Sequence, residues 1–301
     1  MTSRITAILA VIVLTFACAT SASSATTTAV VECATRGTPT ESVTITVGDT
    51  QRSYLLHVAE HQRDERLPVV LAFHGRTQTP EMIERYSGLD RLHAVLVYPR
   101  GLPGAGGKPS WSGTPFGAPG VDDVRFARTI IDDLRGWSCV DPDRVYATGK
   151  SDGGGLAAQL ACREADVLRA VAPVAGAYFP VVGGCTPSRP ISVLEFHGTD
   201  DRVIPYTGDT RRDLPDIHQW LVDWAQRDSC TAEGARQVVA DQVTLRAWSG
   251  CAGGTQVAGY RIEGGGHTWP GALAPSGPGA ETHAIDATAL IAQFFGITAA
   301  R

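Results

Sequence analysis

The stretch that decides the fold is VYATGKSDGGG, residues 145–155. Its Gly149-Lys150-Ser151 could belong to a phosphate-binding loop, but such a loop needs a glycine five residues before the Gly-Lys pair. Arg144 stands there instead, and the β-branched and aromatic run that follows it predicts a strand. A strand that enters G-x-S-x-G and leaves into a helix is the turn that presents a nucleophilic serine. We therefore interpret Ser151 as a candidate nucleophile.

The N-terminus has the three parts of a secretory signal peptide. MTSR carries one positive charge, ITAILAVIVLTFA is apolar but short for a membrane span, and small residues follow in ACATSASSA. Cleavage after Ala19 or after Ala25 fits the preference for small residues. We predict a signal peptide over residues 1–25 and a flexible segment over 26–40, with lipid anchoring at Cys18 as the alternative.

Composition narrows the function classes further. The formal net charge is −5, charged residues make up 19% of the chain, and no basic cluster occurs, so we expect no nucleic-acid partner. No repeat or second compositional region divides the chain, which predicts one domain over residues 41–301.

Six cysteines remain after removal of the signal peptide, an even number that suits an exported protein with structural disulfides. Catalytic or metal-bound thiols are a poor alternative, because no C-x-x-C or histidine-rich spacing occurs. The sequence does not choose among the many possible pairings. Short loops favour Cys162–Cys185 and Cys230–Cys251, which leaves Cys33–Cys139.

The pattern of apolar segments predicts an α/β fold. SVTITV and RSYLLHV alternate around GDT and predict an antiparallel hairpin. Later apolar runs are continuous, which is typical of strands covered on both faces in a mainly parallel sheet. These runs are LPVVLAF, AVLVYP, RVYAT, RAVAPVA, ISVLEF and AGYRIEG. Helices are predicted at VDDVRFARTIIDDLRGW, with Val124, Ala127, Ile131 and Leu134 on one face, at DIHQWLVDWAQR, and at HAIDATALIAQFFG.

Two segments rich in glycine and proline, residues 100–120 and 264–282, fit neither strands nor helices. Long loops of this kind often line functional sites. We expect both at the edge of the sheet where the strands end and where ligands bind in α/β folds.

A serine hydroxyl needs a base to become a nucleophile, and the base needs an orienting acid. FHGTDDRVIPY, residues 196–206, follows a predicted strand and offers Asp201 as the acid, with Asp200 as the alternative. GYRIEGGGHTWPG places His267 after a further strand and three glycines. The chain order Ser, Asp, His, each after a strand, is the order of one class of serine hydrolases.

Two backbone N–H groups should also converge on the reacting oxygen as an oxyanion hole. The residue after the serine, Asp152, supplies one. The loop after an early strand, LAFHGRTQTP, supplies the other from Arg76, and His74 is expected to brace this loop.

Together these motifs resemble the secreted esterases grouped with polyhydroxybutyrate depolymerases and feruloyl or acetylxylan esterases. The resemblance covers nearly all of residues 40–297. It rests on HG after the early strand and on VDDVRFARTIIDDL, WSCVDPDRVYATGKSDGG, RPISVLEFHGTDDRVIPY and GGGHTWPG. It implies an α/β-hydrolase fold and a carboxylesterase without metal or cofactor, with Ser151, Asp201 and His267 as the triad.

The chain also departs from that family's usual pattern. Arg76, Thr77 and Gln78 stand where a cysteine and further glycines usually follow HG, and Lys150 and Asp152 flank the serine. These changes place charges near the oxyanion site.

The sequence therefore predicts a secreted serine esterase whose substrate is a carboxylic ester, polymeric or small. Feruloyl or acetyl esters of plant polysaccharide and short polyhydroxyalkanoate esters are the candidate substrates. There are two alternatives to an esterase. One is an acyltransferase that forms the same acyl-enzyme, and the other is a non-catalytic polymer-binding protein. Trp111 and Trp269 are candidate substrate-binding residues, with ordinary loop packing as the alternative, and we expect no membrane span in the processed chain.

Overall fold

The structure is a computed structural model that describes Cys33 and residues 40–300. The predicted signal peptide over residues 1–25, with its alternative at Cys18, lies outside the described residues. So does the predicted flexible segment over 26–40, apart from Cys33 and Thr40.

Eleven strands form one sheet within the described residues. They are β1 (Glu41–Val47), β2 (Thr50–Val58), β3 (Leu67–Phe73), β4 (Val95–Pro99), β5 (Val140–Lys150), β6 (Ala170–Val174), β7 (Ser192–Gly198), β8 (Ala232–Glu233), β9 (Gln237–Ala240), β10 (Val243–Ser249) and β11 (Val257–Ile262). The helices are α1 (Pro80–Ser87), α2 (Asp123–Leu134), α3 (Asp152–Arg163), α4 (Ile217–Arg227) and α5 (Ala287–Phe295).

The strand order is β1-β2-β4-β3-β5-β6-β7-β11-β10-β8, and β9 also pairs with β10. The central strands from β4 to β11 in this order are all parallel. β1 and β2 form the expected antiparallel hairpin, in which Val47 pairs with Thr50. The predicted α/β-hydrolase architecture, a mainly parallel sheet with an antiparallel hairpin at its start, is confirmed.

The continuous apolar runs have the expected cause, since both faces of the sheet are covered. Every residue of β3 is buried. Leu71 and Phe73 belong to the core on one face, whereas Val70 and Ala72 belong to the core on the other. Successive side chains of a strand point to opposite faces, so a strand covered on both sides must be apolar throughout.

The amphipathic helices supply this cover. On α4 the buried residues are Ile217, Trp220, Leu221, Trp224 and Ala225. On α2 the buried apolar residues are Phe126, Ala127, Ile130, Ile131 and Leu134, whereas Val124, expected on the same face, is only half-buried. The buried face of α2 is therefore rotated slightly about the helix axis relative to the predicted face. No helix of residues 40–300 is long and apolar enough to cross a membrane.

Three disulfides form: the two pairs that short loops favoured and the pair that then remained. The pairs are Cys33–Cys139, Cys162–Cys185 and Cys230–Cys251. The first closes a separation of 106 residues and attaches the N-terminal segment just before β5. Each cross-link limits the unfolded chain, an effect that is typically worth about 2–4 kcal/mol. The disulfide prediction is confirmed.

Some elements were not predicted from the sequence. Helix α1 begins after Thr79, has proline in its first turn, and ends at Gly88, whose left-handed backbone (φ 62°) closes it. Strands β8 and β9 are exposed almost throughout, and β10 is buried only in part. Short, half-exposed edge strands carry little apolar pattern, which explains why the sequence did not reveal them.

Candidate active site

The predicted functional residues follow four parallel strands at one edge of the sheet. Arg76 follows β3, Ser151 follows β5, Asp201 follows β7 and His267 follows β11. Because parallel strands end on the same side, the topology brings these residues together from distant parts of the chain.

Ser151 lies in the sharp turn between β5 and α3. Its backbone has φ 58° and ψ −123°, a sparsely populated conformation that is typical of strained functional positions. The flanking glycines leave no room for a side chain. A Cβ built on Gly153 would lie 2.1 Å from the carbonyl oxygen of Phe73, and one on Gly149 would lie 2.5 Å from that of Gly153. The turn therefore needs the G-x-S-x-G pattern for steric reasons.

Asp201 is buried and bound on both carboxylate oxygens. Oδ1 accepts hydrogen bonds from the backbone N–H groups of Val203 and Ile204, both at 2.8 Å. Oδ2 lies 2.7 Å from His267 Nδ1. Burial raises the pKa of the Asp201 carboxyl, but hydrogen bonds from His197 and His267 hold it well below its usual range. Asp201 therefore remains charged, and His267 carries its proton on Nδ1.

The alternative acid, Asp200, is exposed and lies near Arg202, with 3.7 Å between the closest oxygen and nitrogen atoms. Its position is that of a surface turn residue. Of the two neighbouring aspartates, the structure places Asp201 next to His267.

His267 is 5% exposed. Its burial, and then the positive charge of Lys150, lower its pKa to about 4. Its imidazole is thus neutral at ordinary pH, with Nε2 available as a proton acceptor. Ser151 and His267 line the same cavity of about 800 Å³. The described residues show no direct hydrogen bond between their side chains. Such bonds often tighten only when substrate is bound.

A second buried histidine lies behind Asp201. His197 Nδ1 is 2.8 Å from Glu195 Oε1, and its Nε2 is 2.8 Å from the carbonyl oxygen of Ile204 and 3.4 Å from Asp201 Oδ2. Burial lowers the pKa of His197, but the charges and hydrogen bonds of Glu195 and Asp201 raise it to about 10. His197 is therefore an imidazolium, and its positive charge stabilises the Asp201 carboxylate.

Glu195 was not among the residues predicted from the sequence. The signal for it is a single carboxylate inside the otherwise apolar strand ISVLEF, two residues before a histidine on the same face of the sheet. A buried carboxylate in a central strand needs a partner, and His197 supplies it.

The loop after β3 lies directly against the serine. A Cβ built on Gly75 would lie 3.3 Å from Ser151 Cβ. His74 fixes the loop, because its Nδ1 is 2.8 Å from the Gly75 carbonyl oxygen and its Nε2 accepts from the Gly101 N–H at 3.0 Å. Burial lowers the pKa of His74 to about 4, in accord with this neutral tautomer. Arg76 and Asp152, which carry the predicted oxyanion donors, both line the cavity.

The two predicted substrate-binding tryptophans, Trp111 and Trp269, are fully buried and do not belong to the wall of this cavity. Trp111 donates its indole N–H to the carbonyl oxygen of His74 at 2.7 Å. Trp269 donates its indole N–H to Thr288 Oγ1 at 3.1 Å. Each large aromatic body fills the core while its N–H supports a loop, so packing is their role in this structure.

The two loops rich in glycine and proline do reach the cavity, although through other residues. Pro115 and Phe116 of the first loop and Gly277 and Pro278 of the second belong to its wall. The expectation that both loops lie at the carboxyl edge of the sheet agrees with this placement.

Comparison with known proteins assigns the chain to a family. The putative esterase NocK of Nocardia uniformis subsp. tsuyamanensis is 33% identical over 263 residues, which span 78% of this chain and 75% of NocK. The chain belongs to the α/β-hydrolase esterases. It is a hydrolase of carboxylic esters. No family model matches it.

Two further comparisons agree with this assignment. Feruloyl esterase B of Piromyces equi is 32% identical over 184 residues, which span 58% of this chain but about one third (34%) of that longer protein. Among solved structures, an acetyl xylan esterase from Aspergillus awamori superimposes with a TM-score of 0.59, covering 85% of this chain and 99% of its own. At 14% identity this likeness shows the fold alone.

Proposed function

We propose that this esterase works through a triad of Ser151, His267 and Asp201 and a covalent acyl-enzyme. The observation that supports the proposal most strongly is the 2.7 Å contact between Asp201 and His267, at a cavity that Ser151 also lines from its strained turn. This contact fixes the tautomer in which the other imidazole nitrogen accepts a proton.

In the first step the Ser151 oxygen attacks the ester carbonyl, and His267 Nε2 takes the hydroxyl proton. The tetrahedral oxyanion is stabilised by the backbone N–H groups of Arg76 and Asp152. The N–H of Asp152 is the first of helix α3 and so has no acceptor within the helix. Loss of one such donor typically costs about 2.7–4 kcal/mol of transition-state stabilisation.

Collapse of the intermediate transfers the proton from His267 to the leaving alcohol and leaves Ser151 acylated. Water then enters, gives its proton to His267 and attacks the acyl carbon. The acid leaves and the serine hydroxyl is restored. Asp201 stays ionised throughout and stabilises the imidazolium that forms twice in each cycle.

The substrates proposed are feruloyl or acetyl esters of plant polysaccharide and short polyhydroxyalkanoate esters. The named relatives include a feruloyl esterase, which supports the first of these. We also propose that the chain acts outside the cell, since three disulfides suit an oxidising compartment.

Hydrolysis of 4-nitrophenyl acetate by the wild type and by Ser151→Ala tests the mechanism. We expect the substitution to lower kcat by at least about 10³-fold, because no nucleophile remains. Ser188→Ala, which alters an exposed serine, should leave the rate unchanged. A Ser151→Ala rate near that of the wild type would refute the proposal.

Product analysis with an added alcohol distinguishes hydrolysis from acyl transfer. In water with a short alcohol acceptor, the proposed hydrolase releases mainly free acid. A product that is mainly the new ester would assign the same acyl-enzyme to a transferase.

A further inference from the structure

Lys150, the residue before the serine, is a buried cation at the cavity. Its side chain is fully packed, with the residue 2% exposed, yet it belongs to the cavity wall with Ser151 and His267. A Cβ built on Gly277 would lie 2.8 Å from Lys150 Nζ, so the ammonium lies against the bare backbone of that glycine. Any larger residue there would have to displace it.

This ammonium has no partner among residues 40–300, where no carboxylate lies within 4.0 Å of it and no acceptor forms a hydrogen bond with it. The charge of Asp201 raises the pKa of Lys150, but the larger lowering by burial brings it to about 8. The Asp201 oxygens, however, are already bound by His267, Val203 and Ile204. A buried charge without a partner is costly, which points to a ligand that supplies one.

A second cation, Arg76, lines the same cavity. The guanidinium of Arg76 lies over the ring of Phe116, with 4.1 Å from Cζ to the ring centroid. Its Nε is buried and has no hydrogen-bond partner. Arg76 and Lys150 thus place two positive charges at the wall of the same cavity.

The charge of the cavity wall is opposite to that of the chain. The formal net charge of the chain is −5. The charged residues that line the cavity are the cations Arg76, Lys150, Arg211 and Arg212 and the acids Asp152 and Asp213. Asp209 lies 2.8 Å from Arg212 and 3.6 Å from Arg211, so these two arginines are paired and the remaining positive charge comes from Arg76 and Lys150. A local excess of positive charge in an acidic protein attracts anionic ligands.

We propose that Lys150, assisted by Arg76, binds a carboxylate of the substrate, so that the preferred esters carry a free carboxylate besides the ester group. This inference rests on the proposed function, since it specifies the substrate class of the same site. Carboxylate oxygens match the ammonium as acceptors, and a charge-assisted hydrogen bond in a buried site is stronger than a neutral one. The carboxylate belongs either to the acyl part or to the alcohol part of the ester, and the two are distinguished by experiment.

Two pairs of matched esters test the preference and separate its sources. Mono(4-nitrophenyl) adipate is compared with 4-nitrophenyl heptanoate, which has a similar length and no charge on the acyl part. Likewise 4-acetoxybenzoate is compared with its methyl ester, which removes the charge on the alcohol part. We expect kcat/KM of at least one carboxylated ester to exceed that of its neutral partner by about tenfold or more, the effect of one hydrogen bond to a charged group.

Lys150→Met keeps the length of the side chain and removes its charge. We expect this variant to lose most of the preference, so that the ratio of the two kcat/KM values falls by about tenfold. Lys108, the other lysine of the chain, is exposed, and Lys108→Met should keep the wild-type ratio. A wild-type ratio near one in both pairs, or an unchanged ratio in Lys150→Met, would overturn the inference.

A binding measurement keeps this test separate from the proposed mechanism. Calorimetric titration of Ser151→Ala with adipate should show saturable binding that weakens by about tenfold when Lys150→Met is added. If neutral esters are cleaved through Ser151 but adipate does not bind and no carboxylate preference occurs, the subsite is wrong and the triad stands. If adipate binds but Ser151→Ala keeps full esterase activity, the triad is wrong and the subsite stands.

Discussion

Replacement of Asp201 by asparagine should disable the esterase without unfolding it. Asparagine can keep one oxygen toward the N–H groups of Val203 and Ile204, which now lie 2.8 Å from Oδ1. Its amide NH₂ then faces His267 Nδ1, where Oδ2 lies at 2.7 Å in the native protein. A donor in that place forces the imidazole proton onto Nε2, so the nitrogen at the cavity can no longer accept the Ser151 proton.

The size of the effect follows from this tautomer change. The same substitution in a serine protease triad lowers kcat by about 10⁴-fold. At about 1.4 kcal/mol for each factor of ten, this is about 5.5 kcal/mol of lost transition-state stabilisation. The substitution would also remove the negative charge of Asp201, which lies 3.4 Å from the His197 imidazolium. We therefore expect a catalytic loss at least as large as in the protease. Two backbone hydrogen bonds survive, and we expect the free energy of unfolding to fall by only about 1–2 kcal/mol.

Steady-state hydrolysis of 4-nitrophenyl acetate measures the catalytic loss, and thermal unfolding measures stability. Asp200→Asn is the matched control, because Asp200 is the exposed neighbour in the same turn. We expect it to change kcat by less than about twofold, as surface substitutions usually do. The reasoning would be refuted by an Asp201→Asn variant within tenfold of the wild type, or by equal losses in the two variants.

Three further predictions concern the base, the turn and the buried pair. Because the pKa of His267 is lowered to about 4 and only its neutral form accepts a proton, kcat/KM should stay level as the pH falls and halve near pH 4; a midpoint near 6.5 would contradict this. Gly153→Ala brings a Cβ to 2.1 Å from a backbone oxygen, so we expect the free energy of unfolding to fall by about 1–3 kcal/mol or more, with a lower melting temperature and lower activity. Gly136→Ala, whose Cβ would lie 3.4 Å from its nearest atom, should change neither. Glu195→Gln removes the charge that raises the pKa of His197, so kcat should fall about tenfold or more while KM changes little; equal effects on both constants, or none, would argue against a positioning role.

Much of the fold was accessible from the sequence because the central strands are buried on both faces. A strand such as LPVVLAF must be apolar at every position to lie between two layers of helices. The strands at the β8–β10 end of the sheet were harder to predict. Strands β8 and β9 are short and exposed, and β10 is buried only in part, so their residues show no period that distinguishes strand from loop. Helix α1 has a clear proline start and glycine end, but at eight residues it is short for a periodic signal.

The candidate site was predictable where local geometry restricts the residue type. The turn at Ser151 admits only glycine at 149 and 153, and Asp201 precedes two N–H groups that its side chain can bind. Contacts between loops that are distant in the chain do not restrict the residue type in this local way, so the sequence does not predict them. The tryptophans at 111 and 269 occur beside site residues in the sequence, yet their rings turn into the core and only their N–H groups support the loops.

Covalent labelling by diethyl 4-nitrophenyl phosphate tests the central claim most directly, because this reagent phosphorylates a serine only where a base and an oxyanion hole activate it. The account predicts that the intact protein gains one diethylphosphoryl group, that the modified peptide carries it on Ser151, and that esterase activity is lost in proportion. Absence of modification in the folded protein, or equal modification of Ser151→Ala, would contradict it.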